Sequence, residues 1–157
     1  MSYNQYDNNI DIAILTSEIT NNTNNMADVT GLSLPMMANT SYEFECEIIW
    51  RINDTGRGIR FSINGPESPT LVLLHTEISN GLSSIVNNIA RAYNSGLGST
   101  DIDAANTNSY ARCYGFVTNG STAGNLQLRF SRSGGTGTII YVEPGTIMRM
   151  WRTNPSN

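Results

Sequence analysis

Between Tyr42 and Ile52 the chain alternates between core-type and surface-type side chains without a break. Tyr42, Phe44, Cys46, Ile48, Trp50 and Ile52 share one parity, while Glu43, Glu45, Glu47 and Arg51 fall on the other. A period of two held over that length cannot be a helix face and predicts a half-buried β-strand. The same alternation returns at Ile59, Phe61 and Ile63. It returns again at Leu126, Leu128 and Phe130, set against Gln127, Arg129 and Ser131. Leu71–Ile78, Tyr110–Val117, Thr138–Val142 and Thr146–Trp151 predict further strands, and Val29, Leu32 and Leu34 alternate more loosely up to Pro35. Turn chemistry separates these runs at 38–41, at Asn53-Asp-Thr-Gly56, at Asn64-Gly-Pro66, at Asn119-Gly120, at 134–137 and at Glu143-Pro-Gly145. The Asn53–Gly56 turn predicts that the strands on either side of it form a hairpin. About seven or eight strands with regular turns predict an all-β fold, an antiparallel β-sandwich of jelly-roll-like type.

Two stretches break the pattern. In residues 80–109, Val86, Ile89, Ala90 and Tyr93 have helical spacing with Gly96 as a stop, which predicts one or two helical turns followed by loop. Residues 1–27 read as an N-terminal arm and hinge, with the sandwich domain at 28–157. The arm holds Tyr3 and Tyr6, then the apolar Ile10-Asp-Ile-Ala-Ile-Leu15, then Asn21-Asn-Thr-Asn-Asn25, which is too polar to pack a core. Ile10–Leu15 is either the first strand of the domain or a segment that adds a strand to a neighbouring surface.

Composition narrows the function. At 157 residues the chain can bury a real core. Its net charge is −4, and its basic residues are nine arginines with no lysine. That leaves no basic stripe of the kind that binds duplex nucleic acid. Twenty asparagines and 14 glycines carry the polarity in place of charge. Uncharged polar groups cost less to desolvate than ions, which suits a surface that lies against neighbours. No apolar run reaches membrane-spanning length and no signal-peptide pattern opens the chain, so neither membrane insertion nor secretion is expected. Cys46 and Cys113 lack metal-ligand spacing and lie inside strand patterns, where a free thiol acts as a small apolar filler.

No catalytic, metal or cofactor-binding constellation emerges. His75, the one histidine, lies in an apolar strand without a nucleophile motif beside it. Glu43, Glu45 and Glu47 share a strand face, with neighbouring carboxylates about 7 Å apart from the strand rise. That spacing could suit a glycosidase pair, but it equally describes a solvent-facing or arginine-paired strand. Asp101, Asp103, Asn106 and Asn108 lack the glycine and terminal glutamate of a calcium loop. Trp50 belongs to the core parity. Trp151, between Arg149 and Arg152, has the composition of a protein-binding hot spot. The expected partner-binding residues are Tyr3, Tyr6, Ile10, Ile12, Ile14 and Leu15 of the arm, with Arg149, Trp151 and Arg152.

Three segments together resemble a β module of tailed-bacteriophage virion proteins, found in capsid decoration (cement) proteins and at the ends of tail-fibre chains. They are Tyr42–Ile48, Thr55–Pro66 with its Ile-Asn-Gly-Pro ending, and Gly124–Phe130 with its Leu-Gln-Leu-Arg-Phe run. The Glu143–Thr146 turn and a final strand follow. The resemblance covers about residues 28–151. It implies a structural virion protein without catalysis, made in the host cytoplasm, that binds the major capsid protein on the head exterior and associates with itself as a homotrimer. A receptor- or glycan-binding tail tip is the alternative. The absence of a long fibre shaft favours decoration.

Overall fold

The computed structural model describes residues 10–81, 83–99 and 101–153. Among these residues twelve strands follow in order: β1 (Ile10–Ile14), β2 (Ile19–Asn21), β3 (Ala27–Met36), β4 (Ser41–Ile52), β5 (Gly58–Asn64), β6 (Leu71–Ser79), β7 (Ile85–Ala90), β8 (Leu97–Gly98), β9 (Ser109–Thr118), β10 (Gly124–Ser133), β11 (Ile140–Val142) and β12 (Ile147–Arg152). They form two antiparallel sheets. The larger has eight strands, ordered β1-β12-β4-β9-β6-β7 with β11 and β2 joined beside β4. The smaller has four, ordered β3-β10-β5-β8. The all-β sandwich expected from the alternation is the fold.

The core lies between the inner faces. Even-numbered residues of β4 are all buried, with Phe44, Ile48, Trp50 and Ile52 at 0% exposure. Ile59, Phe61 and Ile63 of β5 and Leu126, Leu128 and Phe130 of β10 answer them from the smaller sheet, also at 0%. Pro35, which cannot donate to a ladder, sits in β3 at the edge of the smaller sheet, where proline is tolerated.

Two sequence expectations are corrected. The predicted hairpin across Asn53–Gly56 does not form: β4 belongs to the larger sheet and β5 to the smaller, so the turn carries the chain over the core. Two apolar strand faces joined by a turn can bury themselves side by side or face to face, and here they do the second. The turns at 119–120 and 134–137 likewise pass the chain between sheets. The helical spacing in residues 80–109 is also overridden. Val86, Ile89 and Ala90 lie in β7, a strand hydrogen-bonded to β6 with His75 opposite Ile89 and Ile78 opposite Val86. No helix occurs among the described residues.

Residues 10–21 run along the edge of the larger sheet in the same chain. β1 pairs with β12, from Ile10 opposite Trp151 to Ile14 opposite Ile147, and β2 pairs with β11. Both long edges are interrupted at the same level. On the inner one, 143–146 bulges away from β4, and the Thr146 hydroxyl takes the Ile49 N–H at 3.1 Å while the Glu143 N–H donates to the Ile49 carbonyl at 2.9 Å. On the outer one, Leu15 turns inward to 3% exposure and its carbonyl accepts the Gly145 N–H at 2.9 Å. The interruption thus leaves the Ile49 main-chain groups satisfied.

Cys46 and Cys113 sit directly opposite each other on β4 and β9, both free and fully buried. Burial raises both thiol pKa values above the ordinary 9.0, with nearby charge from Glu45 adding for Cys46. Burial also pushes Tyr93 up to about 12 from 10.0. A raised folded-state pKa means the folded chain keeps its proton where the unfolded chain releases it. This contribution to stability is therefore complete below about pH 9 and declines as pH rises beyond it. The urea midpoint is expected to fall steadily from pH 9 to 11. Both thiols should resist an aromatic disulfide reagent in the native protein and react only on unfolding. Prompt labelling of native protein would contradict the placement.

Candidate protein-binding face

The outward positions of the larger sheet build one continuous surface, because residues in register across antiparallel strands point to the same side. One row runs Ile10, Trp151, Glu43, Phe116, Leu73; the next runs Ile12, Arg149, Glu45, Tyr114, His75, Ile89; the third runs Ile14, Ile147, Glu47, Arg112, Glu77, Asn87. Charge gathers in the middle, and apolar side chains occupy both flanks.

The central charges are satisfied within the face. The Trp151 indole N–H donates to Glu43 Oε2 at 3.0 Å, Arg112 Nε to Glu45 Oε1 at 3.0 Å, and Arg149 Nη1 to Glu47 Oε2 at 2.9 Å. Hydrogen bonding to Glu45 raises the Arg112 pKa, and hydrogen bonding to Glu47 does the same for Arg149. The three glutamates therefore act as acceptors for neighbouring strands, each with its own partner. The Tyr114 hydroxyl lies 3.0 Å from Glu77 Oε1 and 2.6 Å from His75 Nδ1. A phenol has one proton to give, and the carboxylate can only accept, so His75 carries its proton on Nδ1 and donates to the Tyr114 oxygen. Desolvation, then this bond to Glu77, raises the Tyr114 pKa. His75 is thereby held by its neighbours. No group of His, Cys, Asp or Glu fit to hold a metal occurs among the described residues.

The flanks are what the face offers a partner. On one side Ile10, Ile12 and Ile14 are 53–55% exposed. On the other stand Leu71, Phe116, Ile85, Ile89 and Tyr110, all exposed. There Leu73, His75, Ile89, Tyr114, Gly115 and Phe116 line an apolar groove of about 160 Å³. Leu71, Leu73, Phe116 and Ile89 adjoin one another there, with Ile85 and Tyr110 beyond the polar row of Asn87, Glu77 and Arg112, and exposed apolar patches of this kind mark interaction sites.

Of the residues expected to bind partners, Ile10, Ile12, Ile14, Arg149 and Trp151 come together on this face. Leu15 does not, being in the core. Arg152 is exposed at the end of β12, its guanidinium beside Met37 Sδ. Tyr3 and Tyr6 lie outside the described residues. The second apolar flank went unseen in the sequence. Its one signal was the outward parity of Tyr110 and Phe116, and in Leu71–Leu74 an unbroken apolar run hides which side faces water.

Neither a known protein family nor a curated protein matches the chain. Among solved structures, a mutant VP2 protein of infectious bursal disease virus in derived T=1 particles is 11% identical at a TM-score of 0.29, covering 99% of this chain and 42% of that one. The structure of infectious bursal disease virus strain Gx is 11% identical at 0.25, covering 94% and 40%. A VP2 subviral particle of the same virus is 10% identical at 0.25, covering 96% and 43%. The chain spans less than half the length of each. Likeness at this level assigns neither a family nor a role.

Proposed function

We propose that this chain is a capsid decoration protein of a tailed bacteriophage, binding the major capsid protein on the outside of the head and stabilising the shell without catalysis. The observation that carries the reading is the outer face of the larger sheet. A rigid eight-stranded platform holds its charges in internal pairs and presents apolar side chains on both flanks. Such a face has little to gain from ionic contact and much to gain from apolar burial. The segments Tyr42–Ile48, Thr55–Pro66 and Gly124–Phe130, which resemble the phage module, supply the virion context. Self-association adds multivalency: joined copies on adjacent capsid sites bind jointly far more tightly than one.

A ligand that binds the assembled shell but not its dispersed subunits stabilises the shell by linkage. Re-adding the protein to stripped heads is therefore expected to raise their rupture temperature. The rise should persist at 1 M salt, where the screening length is about 3 Å. No rise would remove the decoration role and leave a receptor-binding tail tip as the reading. A rise that vanishes at 1 M salt would keep the role but overturn the apolar mechanism.

A further inference from the structure

We infer that β1 is a self-pairing edge, through which two copies of this chain join their larger sheets across a two-fold axis at Ile12. β1 closes the larger sheet and, among the described residues, pairs only with β12. The Leu15 N–H donates to the Thr146 carbonyl at 2.8 Å, and the Leu15 carbonyl accepts the Gly145 N–H at 2.9 Å. Main-chain groups in an antiparallel strand alternate between its two sides. Asp11 and Ala13 thus bond towards β12, and the N–H and C=O groups of Ile10, Ile12 and Ile14 project from the free edge. A row of unpaired main-chain groups is a template for another strand.

The side chains select which strand. Ile10-Asp-Ile-Ala-Ile14 reads the same in both directions at its outward positions. Antiparallel pairing about Ile12 sets Ile12 against Ile12 of the second copy and Ile10 against Ile14. Each isoleucine donates once and accepts once, and every pair lies on the outer face. In the same register Asp11 faces Ala13 of the second copy. Moving the axis to Asp11 sets two like charges directly opposite, which is destabilising. Moving it to Ala13 leaves Ile10 beyond the end of β1 in the second copy. Registers of odd offset turn one copy's isoleucines to the other face. The edge therefore complements itself best in one register, as an isologous dimer requires. Across the axis the two isoleucine flanks merge with Ile147 and Trp151 of each copy into one apolar ridge.

This contact deepens the self-association in the proposed function and replaces the trimer implied by resemblance with a dimer. It is read on the protein alone, so its failure leaves the capsid role untouched. In sedimentation velocity over a dilution series, the full chain is expected to pass from monomer to dimer. Ile12→Lys meets itself at the axis and should weaken the dimer by more than about tenfold, with an unchanged far-ultraviolet spectrum. Crosslinking tests the register independently of that variant's folding. Hydrogen-bonded antiparallel pairs hold Cα atoms about 5.5 Å apart, within disulfide reach. Ile12→Cys should therefore crosslink to itself on oxidation. Ile10→Cys and Ile14→Cys should crosslink when mixed and poorly alone. A monomer at every concentration to about 1 mM, a trimer, or a dimer indifferent to Ile12→Lys would each overturn the inference, as would self-crosslinking of Ile10→Cys in preference to Ile12→Cys.

Discussion

Replacing Phe44 by alanine is expected to cost about 3–5 kcal/mol, the range for emptying a buried aromatic site. Phe44 is 0% exposed in the middle of β4. Across the ladder stands Gly115, which offers no side chain to close over the space left by the ring. Glu45→Ala, one residue along, removes only a partly exposed pairing with Arg112. Surface pairs of this kind contribute between about 0 and 1 kcal/mol. Urea denaturation of the two variants decides the matter, provided the slopes agree with the parent. Equal losses would mean that the two faces of β4 have been wrongly assigned.

The second large effect is expected at Gly115 itself. A Cβ there would stand 1.9 Å from the Leu73 carbonyl oxygen on β6. The obstacle is main chain, and β9 is hydrogen-bonded on its other side to β4, so neither neighbour can yield without opening a ladder. Gly115→Ala should therefore cost at least the upper part of the about 1–3 kcal/mol usual for overpacking. Gly56→Ala is the control. Its Cβ would meet only Asp54 Oδ1 at 3.8 Å, and a change within about 0.5 kcal/mol is expected, as for an ordinary surface site. Similar thermal midpoints for the two variants would show that β6 and β9 are not clamped at this point.

What the sequence made legible was set by solvent. β4 could be read residue by residue because one of its faces meets the core and the other meets water, so the alternation is written into the side chains. β6 was recognisable only as a strand, because Leu71 is exposed and Leu73 half-buried on a surface where water predicts polar side chains. Such a departure is what a binding flank looks like in sequence, and it resembles a fully buried strand. Sheet membership was illegible for a different reason. The turn after Ile52 has the same chemistry whether the next strand lies beside β4 or across from it. Only the long-range pairings, β4 with β9 and β5 with β10, decide between the two. β7 was misread because Val86, Ile89 and Ala90 fit both periods. The ladder to β6 settles a choice that local spacing leaves open.

Ile10 lies opposite Trp151, so the first described strand of this chain is completed by the last. On a ribosome adding about 5–20 residues each second, the isoleucines of β1 emerge many seconds before β12 exists. For that interval they form an apolar, unpaired strand on a growing chain whose sheet cannot yet receive them. Closing so long a loop also favours slow folding. Chaperones able to cover that strand should therefore assist its folding. Low temperature or slow induction should raise its soluble yield more than any change to the finished fold, because the vulnerable species is the chain still awaiting its final strand.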